Sequence, residues 1–512
     1  MELINESINM METVASSKTQ TLAEGDIIVP DIKPDILKLL QVDAVSHITD
    51  KEVFDGSIEL SGKVDLKILY IPDNECDRIK SIITSFDFTE SIENRKITAG
   101  AYAVVSSNVE RVEFSMLNSR KLRIKAVVGI EYEIINSVHT DITVDIADCD
   151  EMEMSKEIVA LQSCVDLSEH IISLEESIEI PAGQGSVREL LKLDMTISDT
   201  EYKAMSGKVI VKGDVNVAAL YNNTDGGVEY CESQIPFTEI FECPHISEES
   251  VCDIDYTVRE NEVNIAEDSD GDLRVINVGV EITAQMKASE TVQAEMICDC
   301  YRPFSRTVLE KKSVMLEEVV AKPIMQNTVR ETVETGSKAP SVSGVYNVIT
   351  KPVVKKVSIE NNKLLCEGYI EACVLYLSDS SENPVYSLKK DIPFSYMMEC
   401  ENNADNAQAK VKAQIKHTGY NLNAAGEVEI RCILLISANI IRTREMDIIY
   451  NIESEDILPS DRNGIVICFV QPGDSLWSIA KRYGVPQNAI IEFNELKDES
   501  LKVGERLLIP GR

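Results

Sequence analysis

A mainly β chain is the fold class this sequence predicts: three tandem β-rich, sandwich-like repeat domains followed by a small α+β (βααβ) domain. Three observations predict it. An alternating strand ending in Leu-Tyr recurs three times at offsets of 151 and 155 residues. The intervening segments are Val/Ile-rich and short, broken by Gly, Asn, Asp and Pro, which reads as antiparallel strands rather than helices. The last 49 residues carry six basic and six acidic side chains, whereas the chain as a whole carries a net charge of −37, so the composition breaks before residue 464.

The recurring strand is the anchor of the repeat. It runs Gly62-Lys-Val-Asp-Leu-Lys-Ile-Leu-Tyr70, then Gly213-Asp-Val-Asn-Val-Ala-Ala-Leu-Tyr221, then Gly368-Tyr-Ile-Glu-Ala-Cys-Val-Leu-Tyr376. The tendency to alternate is the period-2 pattern of a half-buried strand. The same offsets align Pro34 with Pro340, and Ile36, Leu39, Leu40 and Val42 with Val187, Leu190, Leu191 and Leu193 and with Val342, Val345, Tyr346 and Val348. A Phe-polar element follows each tyrosine, at Phe88, Phe237 and Phe394, and each repeat closes on an alternating strand at Leu122–Ile124, Leu273–Val275 and Val428–Ile430. Extended backward, Val14, Val165 and Val320 coincide, so the N-terminal residues are expected to form the first strand of repeat one. The domains are then expected at residues 8–157, 158–312 and 313–455, units far longer than solenoid turns. Spacing leaves room for one short helix per copy, around DILKLLQV and SVRELLKL. Asn222–Gly227 and Asp268–Asp272 read as turns. The second lacks the closing Glu of a calcium loop.

Charge and composition exclude several functions. An acidic surface repels phosphate backbones and anionic lipid, so nucleic acid and membrane surfaces are not expected partners. No apolar run approaches the roughly 18 residues of a membrane span. The first residues, Met1 to Glu6, have neither a basic nor an apolar signal region, and no secretory signal is expected there. The 13 cysteines are scattered; the one tight pair, Cys298 and Cys300, lacks the partners of a zinc site, so reduced thiols of a cytosolic protein are expected. The five histidines form no H-E-x-x-H pair, and no nucleophile elbow or phosphate loop appears. No catalytic residue, metal or cofactor is assigned, and the expectation is a binding protein rather than an enzyme.

The C-terminal segment, 464–512, is read element by element. GIVICFV alternates and is expected as a strand. Pro472-Gly473 turns the chain, and either Asp474 or Ser475 caps the first helix. Leu476, Ile479, Ala480 and Tyr483 then fall on one apolar face. Gly484 suits a left-handed helix end and Pro486 the start of a second helix. Ala489, Ile490 and Phe493 are its expected core face, Asn494 its end, and ERLLIP the final strand. Trp477, the one tryptophan, lies one step off the apolar face and either seals the core edge or stands as a partly exposed anchor.

This segment resembles the LysM family along its full length. The resemblance rests on Val470, Gly473, Asp474, Ser475, Leu476, Ile479, Ala480, Tyr483, Gly484, Val485, Asn494, Leu501, Gly504, Leu507, Ile509 and Pro510; the family's usual Thr after the Asp is Ser475 here. LysM domains bind N-acetylglucosamine polymers in a shallow groove. Carried over, that groove would lie between Gly473, Asp474, Ser475 and Leu476 on one side and Asn494, Glu495, Leu496 and Lys497 on the other, with Trp477 beside it. The triplicate strand with its Phe-[Ser/Thr] element resembles the SPOCS domain, a β-rich domain associated with spore coats. Three such domains followed by LysM resemble the spore-coat morphogenesis proteins of the SipL and SpoVID kind. The resemblance implies a scaffold on the mother-cell side, at the forespore surface, linking the coat to the morphogenetic ATPase SpoIVA and other coat proteins. Peptidoglycan is the alternative ligand. Edge strands of the repeats also offer a route to self-association.

Overall fold

A computed structural model describes residues 2–73, 78–147, 151–334, 339–380, 382–400, 407–456, 464–496, 498 and 500–511. Unit one contains β1 (Leu3–Ile28), β2 (Ile36–Phe54), β3 (Ser57–Pro72), β4 (Lys80–Glu93), β5 (Tyr102–Asn118) and β6 (Lys121–Ile146). Unit two repeats the order with β7 (Glu153–Glu179), β8 (Val187–Met205), β9 (Lys208–Asn223), β10 (Val228–Glu242), β11 (Val251–Glu267) and β12 (Leu273–Tyr301). Unit three has β13 (Ser305–Ala321), β14 (Ile324–Val333), β15 (Gly344–Glu360), β16 (Lys363–Leu377), β17 (Val385–Glu399), β18 (Gln408–Leu422) and β19 (Val428–Asp456). Its first strand is split in two beside Pro323, which has no N–H to give to a ladder.

Each unit is a sandwich. A three-stranded antiparallel sheet, β2-β3-β4, β8-β9-β10 or β15-β16-β17, packs on a sheet in which the first and last long strands pair. One apolar cluster fills each sandwich, drawn from both sheets. The N-terminal residues are strand, as expected: β1 pairs with β6 almost from end to end. The first strands of the three units touch in sequence, at Met10–Ser163 and at Leu161–Glu318.

The structure explains the repeated motif. Gly62, Gly213 and Gly368 lie directly opposite Phe88, Phe237 and Phe394 on the neighbouring strand, and the Phe ring lies over the glycine. A Cβ at Gly368 would collide with the Val353 carbonyl, and one at Gly62 with the Phe88 ring. The tyrosine eight residues on is fully buried in every copy. Its hydroxyl donates to the Pro34 carbonyl at 3.1 Å in unit one and to the Pro340 carbonyl at 2.9 Å in unit three. In unit two, where Gly185 replaces that proline, Tyr221 turns to Gln184 Oε1 at 3.0 Å. The hydroxyl therefore pins the chain entering the sandwich to the end of its central strand.

The short helices are a correction: DILKLLQV and SVRELLKL lie in β2 and β8. Each strand has three irregularities, of which two lie three residues apart in this segment, Ile36/Lys38 and Leu39/Gln41 in one, Val187/Glu189 and Leu190/Lys192 in the other. Each extra residue shifts the alternation by one, so two bulges convert a period of two into helix-like spacing. The two turns are hairpins. Asn223 N–H reaches the Gly227 carbonyl at 2.9 Å, and Asp268 N–H reaches the Asp272 carbonyl at 2.8 Å.

The three units meet at equivalent positions. Leu40, Leu191 and Tyr346 share one cluster with Leu69, Leu220 and Leu375. These residues lie on the outer face of the small sheets, where the strand ends are buried on both sides. A second meeting point joins the long strands through Ile8, Val159 and Val314 and through Met10, Leu161 and Leu316. Equivalent residues converging twice give the chain a pseudo-threefold arrangement.

One buried charge breaks that symmetry. Lys192, 2% exposed, bonds Asp194 at 3.0 Å and pairs with Asp43 of unit one. Tyr346 of unit three donates to Asp194 at 3.1 Å and to the Ala218 carbonyl at 2.9 Å. Burial alone would lower the lysine, but the two carboxylates outweigh it and push its pKa up to about 12.

Candidate functional site

The C-terminal domain builds its site from two short strands and two helices. β20 (Val466–Phe469) pairs antiparallel with β21 (Arg506–Ile509), and α1 (Leu476–Tyr483) and α2 (Gln487–Asn494) lie between them in sequence. Cys468, Val470, Leu476, Ile479, Ala480, Val485, Ile490, Leu507 and Ile509 form the core. Ser475 is the cap of α1: its hydroxyl accepts from Ser478 N–H at 3.1 Å, while Ser475 N–H donates to the Ser478 hydroxyl at 2.9 Å. Gly484 ends the helix with a φ of +65°, a left-handed residue freed of Cβ strain. Pro486 sits one place earlier than expected, as the cap of α2.

The expected groove residues divide by geometry. Gly473, Ser475 and Glu495 are exposed at the helix ends, and Glu495 takes a left-handed turn with a φ of +53°. Asp474 accepts from the Gln471 N–H at 3.0 Å and pairs with Arg482. The guanidinium and then that N–H hold its carboxyl below the usual carboxylate range. Leu476 is core, 2% exposed. Asn494 ties α2 to β21, donating to Ile490 O at 2.8 Å and Leu508 O at 2.7 Å and accepting from Leu508 N–H at 2.6 Å. Leu496 is half-buried against the core. Lys497 lies outside the described residues. Phe493, expected in the core, is 45% exposed; Ile491 packs there instead, because α2 turns its face one residue on.

Trp477 is engaged by the body of the protein. Its indole N–H donates to Asp299 Oδ2 at 3.0 Å, and Lys481, one turn along α1, reaches Asp299 Oδ1 at 2.5 Å. Burial would raise the Asp299 carboxyl; the Lys481 and Trp477 bonds outweigh it and hold it below the usual range. The Tyr301 ring stands edge-on to Trp477 with centroids 5.1 Å apart, and its hydroxyl donates to Val485 O at 2.9 Å. Phe304 N–H donates to Gly484 O at 2.8 Å, and Gln487 reaches Glu153 at 3.4 Å. Tyr301 is counted within the core cluster of the C-terminal domain itself. Sequence reasoning did not find Asp299, Tyr301 or Phe304. The available signal was a break in the repeat: at the offsets of 151 and 155 the positions equivalent to Tyr301 hold Asp150 and Asp456, with no aromatic ring in either.

A second concave site lies between the three units, a cavity of about 830 Å³. Charges from all three alternate across it. Lys287 bonds Glu133 at 2.8 Å and Asp253 at 3.5 Å, Lys412 bonds Asp253 and Asp255 at 2.5 Å each, and Lys410 bonds Glu133 at 3.3 Å. This ladder fastens the units to one another. Among the described residues, no group of three or more His, Cys, Asp or Glu side chains is arranged to hold a metal ion, and no helix is long and apolar enough to cross a membrane.

Comparison with known proteins agrees with the threefold reading. The family model described as "SipL, SPOCS domain" matches residues 35–117, 186–266 and 341–423, and the LysM domain model matches residues 470–510. No curated protein and no solved structure matches the chain. Each SPOCS match begins just before the first strand of a three-stranded sheet (β2, β8 or β15) and ends in or just after the strand that follows that sheet (β5, β11 or β18), leaving the long paired strands outside it. SPOCS domains mark association with the spore coat, and SPOCS and LysM are both binding families. With its three copies ahead of one LysM domain, the chain is a spore-coat-associated SPOCS–LysM protein of the SipL/SpoVID kind.

Proposed function

We propose that the protein is a non-enzymatic scaffold of spore-coat assembly, acting in the mother-cell cytosol at the forespore surface. Its SPOCS domains contact coat proteins or further copies of the chain, and its LysM domain docks to a coat morphogenetic ATPase of the SpoIVA type. The observation that carries this reading is the presence of three SPOCS domains and one LysM domain on a single chain. Several binding modules on one scaffold raise the effective concentration of each partner for the others. The docking residues are drawn from the two rims, Gly473 to Leu476 and Asn494 to Lys497, with Trp477 on the adjoining face. Deletion of residues 464–512 should strip the coat from the forespore surface, read as loss of encasement by a fluorescent coat protein. Intact encasement would overturn the proposal.

A second reading is favoured by Gly473, Ser475 and Glu495, which are exposed at the helix ends, where polar backbone groups cluster. Groups of this kind pair with acetamido sugars, which fits a peptidoglycan ligand. Titration with chitooligosaccharides separates the two readings, and an absence of binding at millimolar sugar removes the second.

A further inference from the structure

The LysM domain presents two different surfaces. One is the groove between its helix ends. The other is the outer face of α1 with the α1–α2 turn: Trp477, Lys481, Gly484 and Val485. That second face is covered by the chain itself, at the tip where β12 passes into β13.

The covering residues are matched to it group by group. One half-buried carboxylate, Asp299, takes both the indole N–H of Trp477 and the ammonium of Lys481. One aromatic ring, Tyr301, stands against the Trp477 ring while its hydroxyl satisfies a carbonyl beyond the end of α1. Phe304 holds a φ of +61°, a conformation uncommon for a bulky side chain, and in that conformation its N–H meets the Gly484 carbonyl. The positions corresponding to Tyr301 in the other units, Asp150 and Asp456, carry no ring, so the pairing of a carboxylate with an aromatic ring belongs to unit two alone. The joint consists of a few polar bonds, with Tyr301 and Phe304 packed on the LysM core. Contacts of that size between domains permit relative motion, unlike large apolar ones.

We propose that Asp299, Tyr301 and Phe304 are a built-in occupant of a protein-docking face on the LysM domain, and that a protein partner for this face presents a carboxylate beside an aromatic ring and competes with them. The proposal rests on the docking role given above to LysM and adds its regulation: the face is closed in the isolated chain and opens when a partner displaces the body. It differs from the sugar groove in position and in chemistry, since its centre is an indole and an ammonium waiting on a carboxylate.

Trp477 is the only tryptophan in the sequence, so intrinsic fluorescence of the full chain reads this face directly. Asp299→Lys and Lys481→Glu should each shift the emission to the red and raise acrylamide quenching several-fold, with the circular dichroism of the body unchanged. The double charge swap should recover part of both changes, because the exchanged charges still pair but an ammonium at position 299 cannot accept the indole N–H. Unchanged quenching in the single variants, or a double variant as exposed as the singles, would overturn the closed face. The second arm measures binding of the purified coat morphogenetic ATPase. Asp299→Lys, which leaves LysM itself untouched, should bind several-fold more tightly than wild type. Equal affinity, with Trp477 shown to be open, would overturn the competition. If the ATPase binds neither form, the docking function falls and the competition with it, while the fluorescence still decides whether the face is closed.

Discussion

The molecule has two kinds of joint between its parts. The three SPOCS units meet through equivalent residues, Leu40, Leu191 and Tyr346 with Leu69, Leu220 and Leu375, in an apolar cluster carrying one buried ion group. The LysM domain meets unit two through a pairing that no other unit possesses, the Asp299 carboxylate with the Tyr301 ring beside it. Repetition can build the first joint, because one sequence copied three times supplies three matching faces. It cannot build the second, which needs residues that depart from the repeat. A large apolar joint with a locked charge suits a permanent frame, and a small polar one suits a contact that is made and broken.

The greatest effect is expected at the frame. Lys192→Met leaves Asp43 and Asp194 facing each other without a cation, and removing one partner of a buried pair costs about 3–5 kcal/mol. Urea unfolding followed by circular dichroism should show the loss; a midpoint equal to wild type would mean that the hub does not hold the units together. Within LysM, Ile479 is fully buried, and Ile479→Ala should lower that domain's stability by ~2–5 kcal/mol. The SPOCS units should melt unchanged. A single shared transition that moves as a whole would instead mean that the two joints are equally tight.

Smaller effects test the repeat itself. Replacing the motif glycines by alanine over-packs a tight site, which costs about 1–3 kcal/mol. The order should be Gly368, then Gly62, then Gly213, because the obstacle is a backbone carbonyl in unit three, a ring with a carbonyl beside it in unit one, and only side chains at 2.9 Å and beyond in unit two. Thermal melts of the three variants give the ranking, and equal losses would contradict it.

Acid and alkali should part the two joints. The Asp299 carboxyl is depressed in the folded protein, so its contribution is present above the ordinary aspartate value of about 3.9 and is lost as pH falls through the lower folded value. Lys192 is raised, so its contribution is complete below the ordinary lysine value of about 10.4. It is lost as pH rises through its folded value of about 12. Trp477 quenching should therefore increase on acidification, where the Glu133 and Asp253 pairs between units weaken as well, and the SPOCS hub should weaken in strong alkali. Quenching unchanged in acid would refute the role of Asp299, and a hub unaffected above the folded lysine value would refute that of Lys192.

The frame was largely legible in the sequence because its signals are repeated. Gly62, Gly213 and Gly368 with their tyrosines gave the central strand, and Phe88, Phe237 and Phe394 proved to be its cross-strand partners. The bulges in β2 and β8 were not legible, since an extra residue in a strand imitates helical spacing. Nor was the role of Lys192. Its equivalents are Gln41 and Asn347, and nothing local marks a lysine destined for full burial. In LysM, the cap, the helix ends and most of the core followed from spacing. What Trp477 faces did not, because its partners lie some 180 residues away in the chain and belong to another domain.

The meeting of equivalent residues at the hub has a consequence during synthesis. Unit one is complete once β6 has been made, yet the cluster of Leu40 and Leu69 gains its last members only when Leu375 and Val385 have been translated, the latter 239 residues after Ile146. At typical elongation rates that is a delay of roughly 10–50 s. Through that interval each finished sandwich carries an uncovered apolar end, shaped to fit the same end of any other nascent copy. Units from two chains can therefore close the ring in place of units from one. A strongly acidic surface, by keeping nascent chains apart, favours assembly within a single polypeptide.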